Sequence, residues 1–352
     1  MIGVLSISAL LYVVVAELDI PSVEISQGVH LPTITIGTWT EGDSKEDQNI
    51  TAIVGNWLEL GGRGIDTAWV YFDQKDVAEV LAEHNITREE LFITSKFPTC
   101  LGPFLTRYFL DHDLKALNTD YIDLMLIHFR GPSFWGCDWT WKVMEEYVAK
   151  GKLKSIGVSN WGIADFESLK YKIRPAVNQV EYHVFNHDEN TSSYCKEHNI
   201  TIQSYSPLGG YNDRVSQKSI FADPTVLSIA KKHNISAAQV ATRWVVQNGH
   251  PLTFLSCNRD HQNNTADIFD FELDDEDMSS LNALNTSAND GQMSDFVSPL
   301  LIILAGTFSL CCLCCCCCCR CCFRRCCRCC KAKGREREEW DEKVDHYYYA
   351  AE

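Results

Sequence analysis

The chain has 352 residues, room for one large domain or two small ones, and its 45% hydrophobic and 22% charged composition is that of a packed protein rather than a disordered one. Net charge is −16, and the acid lies in the body: residues before Arg320 hold 22 Lys and Arg against 40 Asp and Glu, which argues against a nucleic-acid partner. The 18 cysteines do not describe a disulfide-stapled miniprotein, because 14 lie between Cys311 and Cys330 and only Cys100, Cys137, Cys195 and Cys257 fall elsewhere.

The first element is an apolar run from Ile2 to Ala16. It is too short for a membrane span and has the length of a signal-peptide core, so residues 1–16 are expected to be a signal cut ahead of Glu17. The missing Lys or Arg before it leaves a buried strand or an uncleaved anchor as alternatives.

From Ser22 to about Leu284 short apolar runs alternate with helical patterns. Val23–Ile25 and Thr33–Ile36 flank Gln27-Gly28, a hairpin signal. Eight strands are expected after it: Gly64–Ala68, Leu91–Lys96, Asp123–His128, Ser155–Asn160, Ala176–His183, Thr201–Tyr205, Leu252–Ser256 and Ile268–Phe271. Between them lie helical stretches, among them Ile50–Leu60, Lys75–His84, Phe104–Leu117, Thr140–Lys150 and Thr225–His233, and Asp274–Leu284 supplies the last. This alternation predicts an α/β fold, a (β/α)₈ TIM barrel over 22–288 with an N-terminal β-hairpin. An open doubly wound sheet is disfavoured, since no G-x-G-x-x-G follows the first strand.

A short linker, 289–295, precedes Phe296–Cys319, which is 24 positions without a charge and long enough for a transmembrane helix. Arg320, Arg324, Arg325, Arg328, Lys331 and Lys333 follow it and should stay cytoplasmic. With the signal, this predicts a single-pass type I membrane protein, its body lumenal or extracellular and its Cys/Arg-rich tail, 320–352, in the cytoplasm. The cysteine tract suits palmitoylation or a plain apolar extension of the span. Asn-x-Ser/Thr acceptors at Asn49, Asn85, Asn190, Asn199, Asn234, Asn263 and Asn285 exceed the roughly two that chance supplies, although His84, His198 and His233 each open a repeated turn pattern.

Polar residues fall at the ends of the expected strands: Asp66, Lys96, His128, Ser159-Asn160, Gln179 and Tyr205-Ser206. In such a barrel those ends converge on one face, where chemistry sits. Tyr71 lies in the loop five residues beyond Asp66. A phenol donates a proton slowly near its ordinary pKa of ~10, and a neighbouring Lys96 ammonium would lower that value, with Asp66 holding the lysine. His128 could orient a carbonyl oxygen. No obvious nucleophile or metal cluster accompanies them, so a hydride would come from a cofactor.

These residues sit in stretches that resemble the aldo-keto reductases: GTW at Gly37–Trp39, GIDTAWVY at Gly64–Tyr71, LFITSKF at Leu91–Phe97, YIDLMLIHF at Tyr121–Phe129, GKLKSIGVSNW at Gly151–Trp161, PAVNQVEYH at Pro175–His183, SYSPLG at Ser204–Gly209 and FDFEL at Phe269–Leu273. The resemblance covers the body in order. It implies NAD(P)H-dependent reduction of aldehydes or ketones, with Tyr71 as general acid, Asp66 and Lys96 tuning it and His128 orienting substrate. It implies cofactor contacts at Thr38, Ser159, Asn160, Gln179, Tyr205, Ser206, Leu208 and Ser256, and a substrate pocket at Trp39 and His128. Two departures stand out. Leu255 occupies the place where the family carries a lysine for the 2′-phosphate of NADPH, and His261 sits about where an arginine would follow, so NADH is a second candidate. Only about a dozen residues separate the last helix from the apolar run, too few for a long segment over the pocket. Cys100 and Cys137 follow two catalytic-face strands and are expected either as a disulfide or as two buried thiols. The expected partner is a small carbonyl compound bound by a monomeric barrel. The alternative function is a weak or inactive barrel that binds or senses cofactor.

Overall fold

The computed structural model describes residues 18–39, 49–131, 136–209 and 219–286. The expected signal (1–16), linker (289–295), span (296–319) and tail (320–352), with its cysteine tract, lie outside them. No helix among the described residues is long and apolar enough to cross a membrane.

The chain opens with a hairpin, β1 (Ser22–Ser26) antiparallel to β2 (Val29–Pro32). Gly28 makes the turn at φ 71°, a conformation costly for any residue with a Cβ, and its N–H donates to Glu24 Oε1 at 2.9 Å. Ile25 and Leu31 are buried in one cluster with Phe92, Leu124, Leu126 and Val177 from three barrel strands and with Ala176 just ahead of the last of them. The hairpin thereby plugs the end of the barrel where its strands begin.

Eight parallel strands close the barrel in the order β10-β3-β4-β5-β6-β7-β8-β9. They are β3 (Ile34–Gly37), β4 (Gly64–Asp66), β5 (Phe92–Thr99), β6 (Ile122–Phe129), β7 (Leu153–Ser159), β8 (Val177–Glu181), β9 (Thr201–Tyr205) and β10 (Leu252–Phe254). Outside them run α1 (Asn56–Glu59, entered through a π-helical turn at Thr51–Gly55), α2 (Gln74–Glu83), α3 (Gly102–Ala116), α4 (Asp138–Ala149), α5 (Ile163–Ser168), α6 (Glu189–Glu197), α7 (Pro224–His233), α8 (Ala237–Gln247), α9 (Arg259–Ala266) and α10 (Asp275–Asn282). Local chemistry sets several helix starts. Asp223 accepts from the Thr225 and Val226 N–H groups ahead of Pro224, and Ser236 and Asp274 form capping boxes with Gln239 and Asp277. Trp57, Trp141, Trp161 and Trp244 are wholly buried in the core. Gly157 lets β7 approach β8: a Cβ there would stand 2.6 Å from the Val177 carbonyl oxygen.

The barrel is the expected one, but its strand count starts elsewhere. Ile34–Gly37 is the first barrel strand, paired with β10 on one side and β4 on the other, and not an arm of the hairpin. Once β10 pairs with β3 the barrel is shut, so the expected strand Ile268–Phe271 is an irregular segment whose Ile268 fills the core. A four-residue apolar run carries no periodicity that separates a strand from a buried loop. Asp66 therefore ends the second barrel strand and Lys96 lies on the third.

Two tertiary features bear on the expected compartment. Cys100 and Cys137 form a disulfide with a Cα–Cα distance of 5.2 Å, while Cys195 is a buried free thiol and Cys257 an exposed one. Six of the seven glycosylation-type asparagines are exposed, whereas Asn285 is half-buried and donates to the His187 carbonyl at 2.7 Å. Asn199 and Asn234 take φ 53° and 55° just beyond α6 and at the end of α7, where a left-handed residue ends a helix. Ser236 in turn caps α8. Helix punctuation accounts for part of that acceptor pattern.

Candidate active site

One face of the barrel brings Asp66, Lys96, His128 and Tyr71 together. β5 runs on to Thr99, so Lys96 lies in mid-strand rather than at the expected end; it is in register with Leu126 of β6 and 1% exposed. Its ammonium donates to Asp66 Oδ1, to the Thr67 carbonyl at 3.1 Å and to the Tyr71 hydroxyl at 3.2 Å. Tyr71 reaches it from a 3₁₀ turn, Trp69–Tyr71, immediately beyond β4. The His128 ring meets the Tyr71 ring edge-on with centroids 5.8 Å apart, and Trp39, 48% exposed, leans on the other side of Tyr71 at 5.0 Å. Asp66 is held from a second direction, because Gln179 Nε2 donates to its Oδ2 at 2.6 Å and to Gln203 Oε1 at 3.0 Å.

Burial opposes the Lys96 charge, but the Asp66 carboxylate and the Tyr71 hydroxyl outweigh it and hold the amine above its ordinary range. A buried cation of this kind is costly unless paired, and here each of its bonds is to an acceptor. Burial, with the Lys96 charge beside it, keeps the His128 imidazole neutral well below its ordinary value. Tyr71 departs from expectation. Lys96 does pull its pKa down, yet burial pushes it up more strongly and Asp66 adds to that rise, so the phenol stays above its usual range. The result is a protonated phenol against an ammonium and a neutral imidazole: a proton donor beside a fixed positive charge.

The residues expected at the cofactor divide into two groups. Ser159, Asn160, Gln179 and Tyr205 form one network. The Ser159 hydroxyl donates to the Gln179 carbonyl at 2.8 Å, Asn160 Nδ2 donates to Ser159 Oγ at 3.0 Å and to the His128 carbonyl at 3.3 Å, and the Tyr205 hydroxyl donates to Asn160 Oδ1 at 2.9 Å. Asn160 takes φ 61°, which Asn tolerates better than most side chains. Thr38 is buried and its N–H donates to the Asp66 carbonyl at 3.0 Å. Ser206, at φ 52°, and half-buried Leu208 follow in the turn beyond β9. Ser256 stands apart beyond β10, where its hydroxyl accepts from the Asn258 N–H at 3.1 Å. Beside it Leu255 is 45% exposed, and Arg259 is paired with Glu59 of α1 at 2.5 Å. Amide and hydroxyl groups around a half-buried phenol suit a carboxamide-bearing aromatic ring. Among the described residues, the second group offers no comparable network around Leu255.

Sequence reasoning missed three residues here. Gln203 shares the inward face of β9 with Tyr205, two positions on, and period-2 alternation could have found it. Thr67 and Asp73 flank the Tyr71 turn, and nothing local marks them as buried.

The aldo/keto reductase family model matches residues 33–286. Among curated proteins, the glyoxal reductase of Bacillus subtilis is 34% identical over 285 residues, covering 78% of this chain and 96% of its own. The 9,11-endoperoxide prostaglandin H2 reductase of Trypanosoma cruzi is 34% identical over 281 residues, covering 79% and 96%. Among solved structures, a Bombyx mori aldo-keto reductase in complex with NADP superposes with a TM-score of 0.70 at 31% identity, over 79% of this chain and 97% of that one. An aldo-keto reductase from a Medee basin deep-sea metagenome library gives 0.69 at 34% identity, over 76% and 95%.

Proposed function

The chain belongs to the aldo/keto reductase family, an enzyme family of nicotinamide-dependent carbonyl reduction, and on that premise we propose that it reduces small aldehydes with Tyr71 as the proton donor. The observation that carries this reading is the hydrogen-bonded line from Asp66 through Lys96 to the Tyr71 hydroxyl, with His128 across the phenol. NAD(P)H supplies the hydride when bound. Ser159, Asn160 and Gln179 would hold its carboxamide and Tyr205 its ring. The neutral His128 imidazole orients the carbonyl oxygen beside the phenol. As that oxygen gains negative charge the Tyr71 proton moves to it, and the Lys96 ammonium stabilises the phenolate left behind. Asp66, itself held by Gln179, keeps the ammonium in place. Glyoxal and other small aldehydes are the first substrates to try, on the likeness to the Bacillus subtilis protein. The test is cofactor oxidation by the full-length protein against an aldehyde panel, and silence with both NADPH and NADH would overturn the reading.

A second reading, a barrel that binds cofactor with little turnover, is favoured by the Leu255 end of the site. An exposed leucine cannot pair a phosphate dianion, and Arg259 is already engaged by Glu59. Charge-assisted bonds are worth about 1.5–3 kcal/mol each. Leu255→Lys is accordingly expected to tighten NADPH by about tenfold or more and to leave NADH unchanged, read by quenching of intrinsic fluorescence. An equal gain for both cofactors would show that the 2′-phosphate is bound elsewhere.

The barrel is further proposed to sit on the lumenal or extracellular side of a membrane, tethered by 296–319 with its tail in the cytoplasm. The uncharged run, the cations that follow it and the Cys100–Cys137 disulfide support this, since such bonds persist in oxidising compartments.

A further inference from the structure

Asp73 lies two residues beyond Tyr71 at the start of α2, yet its side chain does not cap that helix. It turns inward and is 7% exposed. Its Oδ1 accepts the Thr67 hydroxyl at 2.7 Å, and the Thr38 side chain also acts on the buried carboxyl. Thr67 is also the residue whose backbone carbonyl accepts the Lys96 ammonium at 3.1 Å. One residue thus carries Asp73 on its side chain and Lys96 on its main chain.

We propose that Asp73, held beside the Tyr71–Lys96 couple by Thr67, is a positioning residue for the carbonyl reduction that biases this couple by its charge. This rests on the proton-donor reading of Tyr71. Among the described residues, the charged and titratable groups nearest it in the fold or the chain are Lys96 on β5, Tyr71 in the preceding turn, Asp66 on β4 beside both, and Lys75 and Asp76 following on α2. Burial pushes the Asp73 carboxyl up to about 6, against the opposing pull of the Thr38 and Thr67 side chains and the Lys96 charge. Above that pH its negative charge offsets part of the ammonium's field and raises the Tyr71 pKa. Below it the carboxyl is neutral, the ammonium acts on the phenol undiminished, and Tyr71 becomes the stronger acid. Proton donation to the substrate therefore quickens as pH falls through about 6.

The test is the pH profile of kcat for aldehyde reduction by the full-length protein and by Asp73→Asn. The wild type is expected to gain about three- to tenfold between roughly pH 7.5 and 5, whereas the variant stays within about twofold across that range and is the faster of the two at the upper end. A flat wild-type profile, or a step that survives in Asp73→Asn, overturns the proposal. Carbon-13 NMR of aspartate carboxyls gives a readout free of turnover. One resonance should titrate near 6, vanish in Asp73→Asn and move upward in Lys96→Met, which removes the cation that holds it down. Should no aldehyde be reduced at any pH, the function reading fails, and the carboxyl titration then decides alone. A resonance that ignores the loss of the ammonium overturns the link between Asp73 and Lys96, and one that moves upward upholds it.

Discussion

Tyr71→Phe is expected to lower kcat/KM for aldehyde reduction by about 10²–10⁴-fold while cofactor affinity stays within about twofold. The substitution removes one oxygen, the atom 3.2 Å from the Lys96 ammonium, and leaves the ring that packs against Trp39 and His128. Those ring contacts preserve the pocket wall, so binding is spared. What is lost is the proton for the developing alkoxide and the phenolate that the ammonium would stabilise. Lys96 would keep Asp66 and the Thr67 carbonyl, so its charge would stay paired and the barrel folded. Steady-state kinetics with paired cofactor titrations separate these effects. Retention of most activity would show that the proton comes from elsewhere.

Cys100→Ser together with Cys137→Ser is expected to cost about 3–4 kcal/mol of stability, from loss of the cross-link across a sequence separation of 37 residues. The bridge joins the chain just beyond β5, which carries Lys96, to the start of α4 beyond β6, which carries His128. Both sulfurs belong to buried residues packed in the core, so two hydroxyls in their place add a desolvation cost. Urea unfolding of the oxidised protein, the double variant and the wild type under reductant measures the effect. The latter two should unfold at lower denaturant concentrations than the oxidised protein, the double variant at the lowest. Cys257→Ser, which alters an exposed free thiol, should leave the midpoint unchanged. Equal stability of oxidised and reduced wild type would show that the cross-link contributes nothing.

The barrel and most of the polar centre were legible in the amino-acid sequence because their signals are local. Strand and helix periodicity over a few residues marked the βα units, and a polar residue at the end of an apolar strand has one face of a closed barrel to point toward. Asp66, Lys96, His128, Gln179 and Tyr205 were found in this way, without knowledge of which strands are neighbours.

Tertiary structure alone decided matters that depend on distant partners. Which strand closes the barrel is settled by pairing of β10 with β3, and a short run such as Ile268–Phe271 looks the same whether it joins the sheet or fills a gap beside it. Arg259 meets Glu59 across 200 residues, and Gln179 meets Asp66 across 113, separations at which no pattern in the chain reports a contact. The protonated state of Tyr71 and the raised pKa of Asp73 follow from desolvation, which depends on how much protein surrounds a group and not on its neighbours in sequence. Residue order thus determined which groups share the rim, and packing determined which of them hold a proton.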